Sequence, residues 1–166
     1  MPKNLEVKIQ VDNFSFLLDT LTKMGVEREA VLNQSDIYYE NDKMKVKLRI
    51  EDGKSCLIKY IRDEINKERW SNYELLFLEG ENPRKYLSDL LKEKTVVTKK
   101  RSLYLYKNTR IHLDEVEGLG NFIELETVFI DSDEDAVSRF NELVDILKLD
   151  LDKQIKCGYK ELIEAK

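Results

Sequence analysis

Short stretches that alternate apolar with polar residues recur along the whole chain. The first, residues 4–10, has the period-2 pattern of a half-buried β-strand. Turn signals such as Asp52-Gly53 and Asn108-Thr109 join several of these stretches directly, and strands connected by so few residues pair antiparallel. The sequence therefore predicts an α+β fold built on a largely antiparallel sheet of about eight strands. Closing that sheet into a barrel would remove its exposed edges.

Helices are predicted at intervals along the chain. The first is capped by Asp12 or Asn13 and ends at Gly25. The second begins at Asn82-Pro83, where a capping residue precedes a proline at the first helical position. Ser132 caps the third, and residues 159–163 form the last. We expect the second helix to bury four apolar side chains, those of Tyr86, Leu87, Leu90 and Leu91. Because the chain contains no internal repeat or linker, residues 1–166 are expected to form a single domain.

The charge balance limits the partners that the chain can bind. A net charge of −5 on 166 residues supplies no general attraction for nucleic acid, so any polyanionic ligand must be bound by cations gathered in one place. No apolar stretch approaches the length of a membrane span. The two cysteines form no disulfide framework, and no signal peptide is apparent. We expect a cytoplasmic protein that binds neither nucleic acid nor membranes.

Acidic residues restrict the metal chemistry that the chain can support. A single histidine, His112, argues against a histidine-based zinc site, so a metal would be held by carboxylates, which favour Mg²⁺ or Mn²⁺. Glu124 and Glu126 lie on one face of a predicted strand, where like charges repel unless a cation lies beside them. A divalent ion with oxygen ligands would relieve this repulsion.

Basic residues collect on the polar faces of three predicted strands. Lys47 and Arg49 share one face, Lys99 and Arg101 share another, and Lys59 belongs to a third strand. Each group alone is typical of a solvated surface. Taken together with the acids, rows of lysine and arginine facing a metal ion would hold a chain of phosphates through charge-assisted hydrogen bonds.

Several of these motifs resemble signatures of the CYTH family, the triphosphate tunnel metalloenzymes. Glu6-Val7-Lys8 is similar to the second half of the family's Glu-x-Glu-x-Lys signature, and Tyr159 lies in a segment that resembles its closing helix. The run of residues 114–126 is the most specific match. Gln34-x-Asp36-x-Tyr38 resembles a segment of the class IV adenylate cyclase branch. The remaining matches follow in the family's order: Lys47-Leu48-Arg49, Lys59 and Lys99-x-Arg101.

The resemblance implies a closed antiparallel barrel whose interior is a charged tunnel. It implies Mg²⁺ or Mn²⁺ as the cofactor, bound by three carboxylates, those of Glu6, Glu124 and Glu126. It implies catalytic roles at three positions, which are Lys8, Glu74 and Asp114. The substrate phosphates would be bound by the basic residues at matching positions: Lys8, Lys47, Arg49, Lys59, Lys99 and Arg101.

The function implied by the resemblance is that of a metal-dependent enzyme acting on a triphosphate. Attack by water would hydrolyse a nucleoside triphosphate, thiamine triphosphate or inorganic polyphosphate. Attack by a ribose 3′-hydroxyl would convert ATP to cyclic AMP and pyrophosphate, the class IV cyclase reaction. The sequence does not show the base-recognition pocket that would decide between the two reactions. A homodimer is the assembly considered for such a domain.

Two positions depart from the family pattern. Asn4 stands where the signature has its first glutamate, and Asn72 stands where an acid is common. Fewer carboxylates mean weaker binding of a hard divalent cation. The alternative function is therefore a non-catalytic module that binds a nucleotide or polyphosphate through its cations and has a degraded metal site.

Overall fold

Eight antiparallel strands close into a barrel, which confirms the predicted fold class. The computed structural model describes residues 3–63 and 69–166. Around the barrel the strands follow the order β1-β5-β4-β3-β2-β6-β7-β8, so every strand has a partner on both sides. The strands are β1 (Lys3–Val11), β2 (Arg28–Tyr39), β3 (Lys45–Glu51), β4 (Lys54–Asp63), β5 (Arg69–Leu78), β6 (Glu93–Tyr106), β7 (Thr109–Val116) and β8 (Gly120–Val128).

Four α-helices flank the barrel in the described ranges. They are α1 (Ser15–Lys23), α2 (Pro83–Leu90), α3 (Asp133–Ile146) and α4 (Tyr159–Glu164), with a 3₁₀ turn at Leu151–Lys153. The predicted caps of α2 and α3 are present, since the side chains of Asn82 and Ser132 accept hydrogen bonds from backbone N–H groups three residues on. None of these helices is both long and apolar enough to span a lipid bilayer.

The turn between β6 and β7 lies one residue earlier than the sequence predicts. Lys107 and Asn108, rather than Asn108 and Thr109, form it, and both have positive φ angles, of 44° and 56°. Positive φ at both central residues is the signature of a type I′ hairpin, whose twist matches that of the flanking strands. Thr109 is the first residue of β7, where its hydroxyl hydrogen-bonds that of Thr127 on β8 at 2.9 Å.

The main hydrophobic core lies outside the barrel, between its wall and the helices α1 and α3. Leu5, Val7 and Ile9 of β1 pack there with Leu21 of α1 and Leu143 of α3. Because successive side chains of a strand point to opposite faces, the polar residues between them must enter the barrel. The polar face of β1 is therefore buried: Glu6 and Lys8 are 6% and 2% exposed. A solvated surface, the ordinary explanation of such a pattern, does not apply here.

Helix α2 buries less than the sequence predicts. Only Leu87 of the four predicted residues packs against the barrel, while Tyr86 is 70% and Leu90 66% exposed. The fourth, Leu91, lies just beyond the helix and is 37% exposed. The orientation of α2 follows from Arg84, which forms two hydrogen bonds of 2.9 Å with Glu93 at the start of β6. Arg84 and Leu87 are three residues apart and share a helix face, so this anchor turns Leu87 towards the barrel, whereas Tyr86 lies on another face of the helix.

Candidate functional site

The barrel encloses a cavity of about 320 Å³, here called the lumen, at the lower end of the size range of small-molecule sites. Its wall is built from residues at alternate positions of the strands and carries both signs of charge. Among the described residues, the basic side chains that line it are Lys8, Lys47, Arg49, Lys99, Arg101 and Arg110. The acidic ones are Glu6, Asp36, Glu51, Glu124 and Glu126.

One side of the lumen is a cluster of three cations around a single carboxylate. Asp36 on β2 lies directly opposite Arg49 of β3, and Lys99 of β6 is its diagonal neighbour on the other side. Its Oδ2 accepts hydrogen bonds from Lys47 Nζ at 2.8 Å and from Lys99 Nζ at 3.0 Å. Arg49 donates to both oxygens, from Nε at 2.7 Å and from Nη2 at 2.8 Å. We call Asp36, Lys47, Arg49 and Lys99 the cation cluster.

Burial and charge act against each other in the cation cluster. Burial raises the pKa of Asp36, but the charges of Arg49, Lys47 and Lys99 outweigh it and hold this pKa well below its usual value. Burial lowers the pKa of Lys99 to about 7, because the attraction of Asp36 does not offset both the desolvation and the repulsion of the neighbouring cations. The cluster therefore carries more positive charge than one carboxylate balances, which suits it to a multiply charged anion.

The opposite side of the lumen is formed by three neighbouring strands, β1, β8 and β7. Glu6, Glu126 and Arg110 lie directly opposite one another in one row across these strands. Lys8, Glu124 and His112 form the next row. The two rows place three carboxylates close together. Lys8 at one end and Arg110 at the other partly balance their negative charge.

Both glutamates of β8 have cationic neighbours. Arg110 donates to Glu126 Oε2 from Nε at 2.9 Å and from Nη2 at 2.7 Å. Lys8 Nζ lies 3.9 Å from Glu124 Oε2, and Arg101 Nη2 lies 3.4 Å from the same oxygen. Burial alone would raise the pKa of Glu126, yet His112, Arg110 and Arg101 beside it together keep this pKa below its usual value. Glu126 is therefore available as an anionic ligand at neutral pH.

The donor atoms on this side fit a divalent cation. One donor atom from each of His112, Glu124 and Glu126 lies within 4.8 Å of the others. Nδ1 of His112 is buried, has no hydrogen-bond partner among the residues that the structure describes, and lies 3.8 Å from Glu126 Oε1. Carboxylate oxygens are the ligands that Mg²⁺ and Mn²⁺ prefer, so the residues present are chemically suited to such an ion. Burial, with Arg101 acting in the same direction, lowers the pKa of His112 to about 4, so its imidazole is neutral at pH 7.

Asp114, expected to be catalytic, lies on the same face of β7 as Arg110 and His112 but is not among the residues that line the lumen. It is fully buried and accepts two hydrogen bonds of 2.7 Å from Arg101. The hydroxyl of Tyr159 donates to it at 2.6 Å, and the ring of Tyr159 lies 4.1 Å from Lys8 Nζ. Asp114 is thus placed to orient Arg101 and to hold the start of α4 at one end of the barrel.

Two expected site residues, Lys59 and Glu74, lie on the outside of the barrel, and the structure does not bring them to the lumen. They form a salt bridge of 2.8 Å with each other, and both side chains are about half exposed, 48% and 52%. On β4 the lumen positions belong to Ile58 and Tyr60, and on β5 to residues that include Tyr73. Alternation then requires Lys59 and Glu74 to point outward.

Asn4 and Asn72, the two departures from the family pattern, lie on different faces of the barrel. Asn4 lines the lumen beside Glu6. With its amide oriented so that the oxygen faces Arg110, it accepts a hydrogen bond from Nη2 at 2.9 Å. Asn72 alternates with Ser71 and Tyr73, which line the lumen, so it points outward. Only Asn4 therefore removes a carboxylate from the lumen.

The structure adds lumen residues to which the sequence analysis gave no role. Asp36 was quoted only for its branch resemblance, although its alternation with Gln34 and Tyr38 already predicted a shared face. Arg110 and His112 were missed, and their period-2 spacing with Asp114 on β7 was the available signal. Six predicted residues other than Lys8 and Glu6 do line the lumen: Lys47, Arg49, Lys99, Arg101, Glu124 and Glu126.

Known proteins resemble this chain over most of its length. The chain is 28% identical over 172 residues to a protein of Methanocaldococcus jannaschii named "Putative adenylate cyclase MJ0240", a match that covers 95% of this chain and 97% of that one. The PH1012 protein of Pyrococcus horikoshii has a similar fold, with a TM-score of 0.81 and 24% identity over 96% of this chain and 98% of that chain. The PH1819 protein of the same organism has a TM-score of 0.73 and 26% identity over 98% and 99% of the two chains.

The sequence profile of the CYTH domain matches residues 2–158. This match includes all eight strands of the barrel and every charged residue that lines the lumen. The chain belongs to the CYTH domain family.

Proposed function

We propose that this protein is a metal-dependent enzyme that acts on a triphosphate bound in the lumen. One observation carries the proposal: the cation cluster and the array of Glu6, Glu124 and Glu126 face the same cavity from opposite sides. A triphosphate needs both sides. The oxygens along its row of phosphates require cations, and its reacting end requires further charge neutralisation. Membership of the CYTH domain family supports the same conclusion.

In this proposal the basic residues bind and orient the substrate. Arg49 presents a planar fork that matches two phosphoryl oxygens, whereas Lys47 and Lys99 act as point charges beside it. Arg101, held by Asp114, extends this surface towards Glu124. Asp36 now accepts the hydrogen bonds that phosphoryl oxygens would accept, and it keeps the three cations in place until the ligand arrives.

The acidic side of the lumen would hold the metal cofactor, next to the phosphoryl group that reacts. Mg²⁺ or Mn²⁺ bound by Glu6, Glu124 and Glu126 supplies charge neutralisation and polarises phosphoryl oxygens. Lys8, whose Nζ lies 3.9 Å from Glu124 and over the ring of Tyr159, is a cation on this side that would contact the transferred group. Catalysis then rests on positioning and electrostatic stabilisation.

Two reactions are compatible with this arrangement, and the substrate's orientation separates them. Attack by water releases orthophosphate or pyrophosphate from a nucleoside triphosphate, thiamine triphosphate or inorganic polyphosphate. Attack by a ribose 3′-hydroxyl on the α-phosphate gives cyclic AMP and pyrophosphate. The name of the M. jannaschii relative favours cyclisation of ATP. Asn4 favours the alternative, a non-catalytic binding module, because the lumen has one carboxylate fewer than the family's signature supplies.

Product identification tests the proposal. The purified protein is incubated with ATP, tripolyphosphate or thiamine triphosphate and with Mg²⁺ or Mn²⁺, and the products are separated by chromatography. Cyclic AMP or released phosphate supports the enzyme, and Arg101→Ala should abolish either product while Lys59→Ala, outside the barrel, should not. Calorimetric binding without any product supports the binding module. If the protein neither binds nor turns over any of these triphosphates, the proposal is overturned.

Location and assembly remain predictions. A cytoplasmic location agrees with the two free cysteines, Cys56 and Cys157, but rests on the sequence argument alone. A homodimer is tested by sedimentation equilibrium over a range of protein concentrations.

A further inference from the structure

We propose that His112 is a nitrogen ligand of the metal ion bound by Glu124 and Glu126, and that it makes the site select Mn²⁺ and other first-row transition ions over Mg²⁺. This inference rests on the metal site of the proposed function and extends it to a residue that the carboxylate signatures do not include. It differs from the expectation that carboxylates alone would hold the ion.

The strand register brings the three donors together. His112 on β7 lies directly opposite Glu124 on β8, and Glu126 is its diagonal neighbour on the same face. Nδ1 of His112 is 3.8 Å from Oε1 of Glu126, which is too long for a hydrogen bond. Two ligands at metal–ligand distances of about 2.1 Å each lie up to about 4.2 Å apart across one ion. The separation therefore suits a shared metal better than a direct contact.

The imidazole of His112 has a buried ring nitrogen that makes no hydrogen bond to the described part of the chain. His112 is 4% exposed, and within residues 3–63 and 69–166 its buried Nδ1 finds no hydrogen-bond partner. Buried polar atoms are nearly always paired in folded proteins, so an unpaired one that lies 3.8 Å from the carboxylate of Glu126 indicates a missing partner. A cation fits this position, because it accepts the lone pair of the nitrogen and the charges of both glutamates at once.

The neighbouring arginines leave room for such a ligand set. Arg110 occupies Oε2 of Glu126 with two hydrogen bonds, and this leaves Oε1 on the side of His112. Arg101 approaches Oε2 of Glu124 at 3.4 Å. These contacts reduce the negative charge that the carboxylates offer to an ion, and an imidazole nitrogen adds a strong donor without adding charge. Because Mg²⁺ prefers oxygen ligands whereas imidazole suits the transition metals, selectivity should shift towards the latter.

Electron paramagnetic resonance tests the inference on the unmodified protein. The chain has one histidine, so any imidazole nitrogen coupled to bound Mn²⁺ must belong to His112. Protein labelled with ¹⁵N-histidine is loaded with Mn²⁺ in the absence of triphosphate, and the electron spin echo modulation is recorded. A ¹⁵N coupling is expected, and it should be absent from His112→Phe and His112→Gln. Both variants should lose about tenfold or more in Mn²⁺ affinity while Mg²⁺ affinity changes little.

The outcomes separate this inference from the proposed function. Mn²⁺ bound without a histidine coupling overturns the role of His112 and leaves the triphosphate enzyme intact, because product formation is measured separately. Equal losses of Mn²⁺ and Mg²⁺ affinity in the variants overturn the selectivity. Failure of the wild-type protein to bind Mn²⁺ overturns the inference as a whole. Lys59→Gln, on the outside of the barrel, is the matched control and should bind both ions like the wild type.

Discussion

Arg49 holds Asp36 with two parallel hydrogen bonds, from Nε to Oδ1 at 2.7 Å and from Nη2 to Oδ2 at 2.8 Å. This is the geometry with which arginine binds a carboxylate or a phosphate. The carboxylate of Asp36 is therefore an internal anion in the position that a phosphoryl group would take. The pair explains how a buried group of cations is stable without a ligand, and it leads to the first prediction.

Asp36→Asn should destabilise the protein without ligand and make it more responsive to ligand. Removing the carboxylate leaves Lys47, Arg49 and Lys99 without their common partner, and breaking a buried ion pair in this way costs about 3–5 kcal/mol. Tripolyphosphate replaces the missing anion and stabilises the folded state by mass action. Thermal melts should show a lower Tm for the variant and a larger Tm rise on adding tripolyphosphate. Equal rises in both proteins would contradict a phosphate site at Asp36.

Arg49→Ala should weaken tripolyphosphate binding by roughly 1.5–3 kcal/mol, the range for a hydrogen bond to a charged group. Arg49→Lys should recover part of this loss only, since a point charge cannot replace the planar fork. Isothermal calorimetry measures both. Lys59→Ala is the control that removes one positive charge outside the barrel, and it should bind with the affinity of the wild type. A loss of the same size in the control would show that general charge, and not the lumen, binds the ligand.

Binding of tripolyphosphate should take up protons above pH 7 through Lys99. Burial lowers the pKa of Lys99 to about 7, against 10.5 for a free lysine. Between these pH values the unfolded chain binds more protons than the folded one. The stability that this group contributes therefore rises with pH. A bound anionic ligand favours the protonated form of Lys99 and so restores its positive charge. Affinity should therefore fall as the pH rises above about 7. Calorimetry at pH 8 in two buffers of different ionisation enthalpy detects the uptake, which Lys99→Met should lose.

Asn4→Glu should tighten metal binding. Asn4 lines the lumen on the same face of β1 as Glu6, so a carboxylate there would converge on the same ion and add charge that an amide cannot. Without metal the variant should be slightly less stable, because like charges are brought together. Manganese titrations of Tm and of turnover, run beside the wild type, measure both effects. A variant that needs as much manganese as the wild type would place the ion away from Asn4.

The sequence by itself determined which residues share a face. Period-2 alternation in β1, β3, β6 and β8 paired Glu6 with Lys8, Lys47 with Arg49, Lys99 with Arg101 and Glu124 with Glu126. The reason is local, because the pleat of a strand sends alternate side chains to opposite sides whatever the rest of the chain does. The same local chemistry predicted the caps at Asn82 and Ser132.

Only the tertiary structure decided which face of each strand lines the lumen and which residues meet inside it. Lys59 and Glu74 look like the other charged strand residues in the sequence, but barrel closure and the burial of Ile58 and Tyr60 turn them outward. Contacts such as Tyr159 with Asp114, and the approach of His112 to Glu126, depend on how separate strands and the last helix are placed in space. The period-2 pattern carries no information about that placement, because the pattern is the same whichever face of the strand points into the barrel.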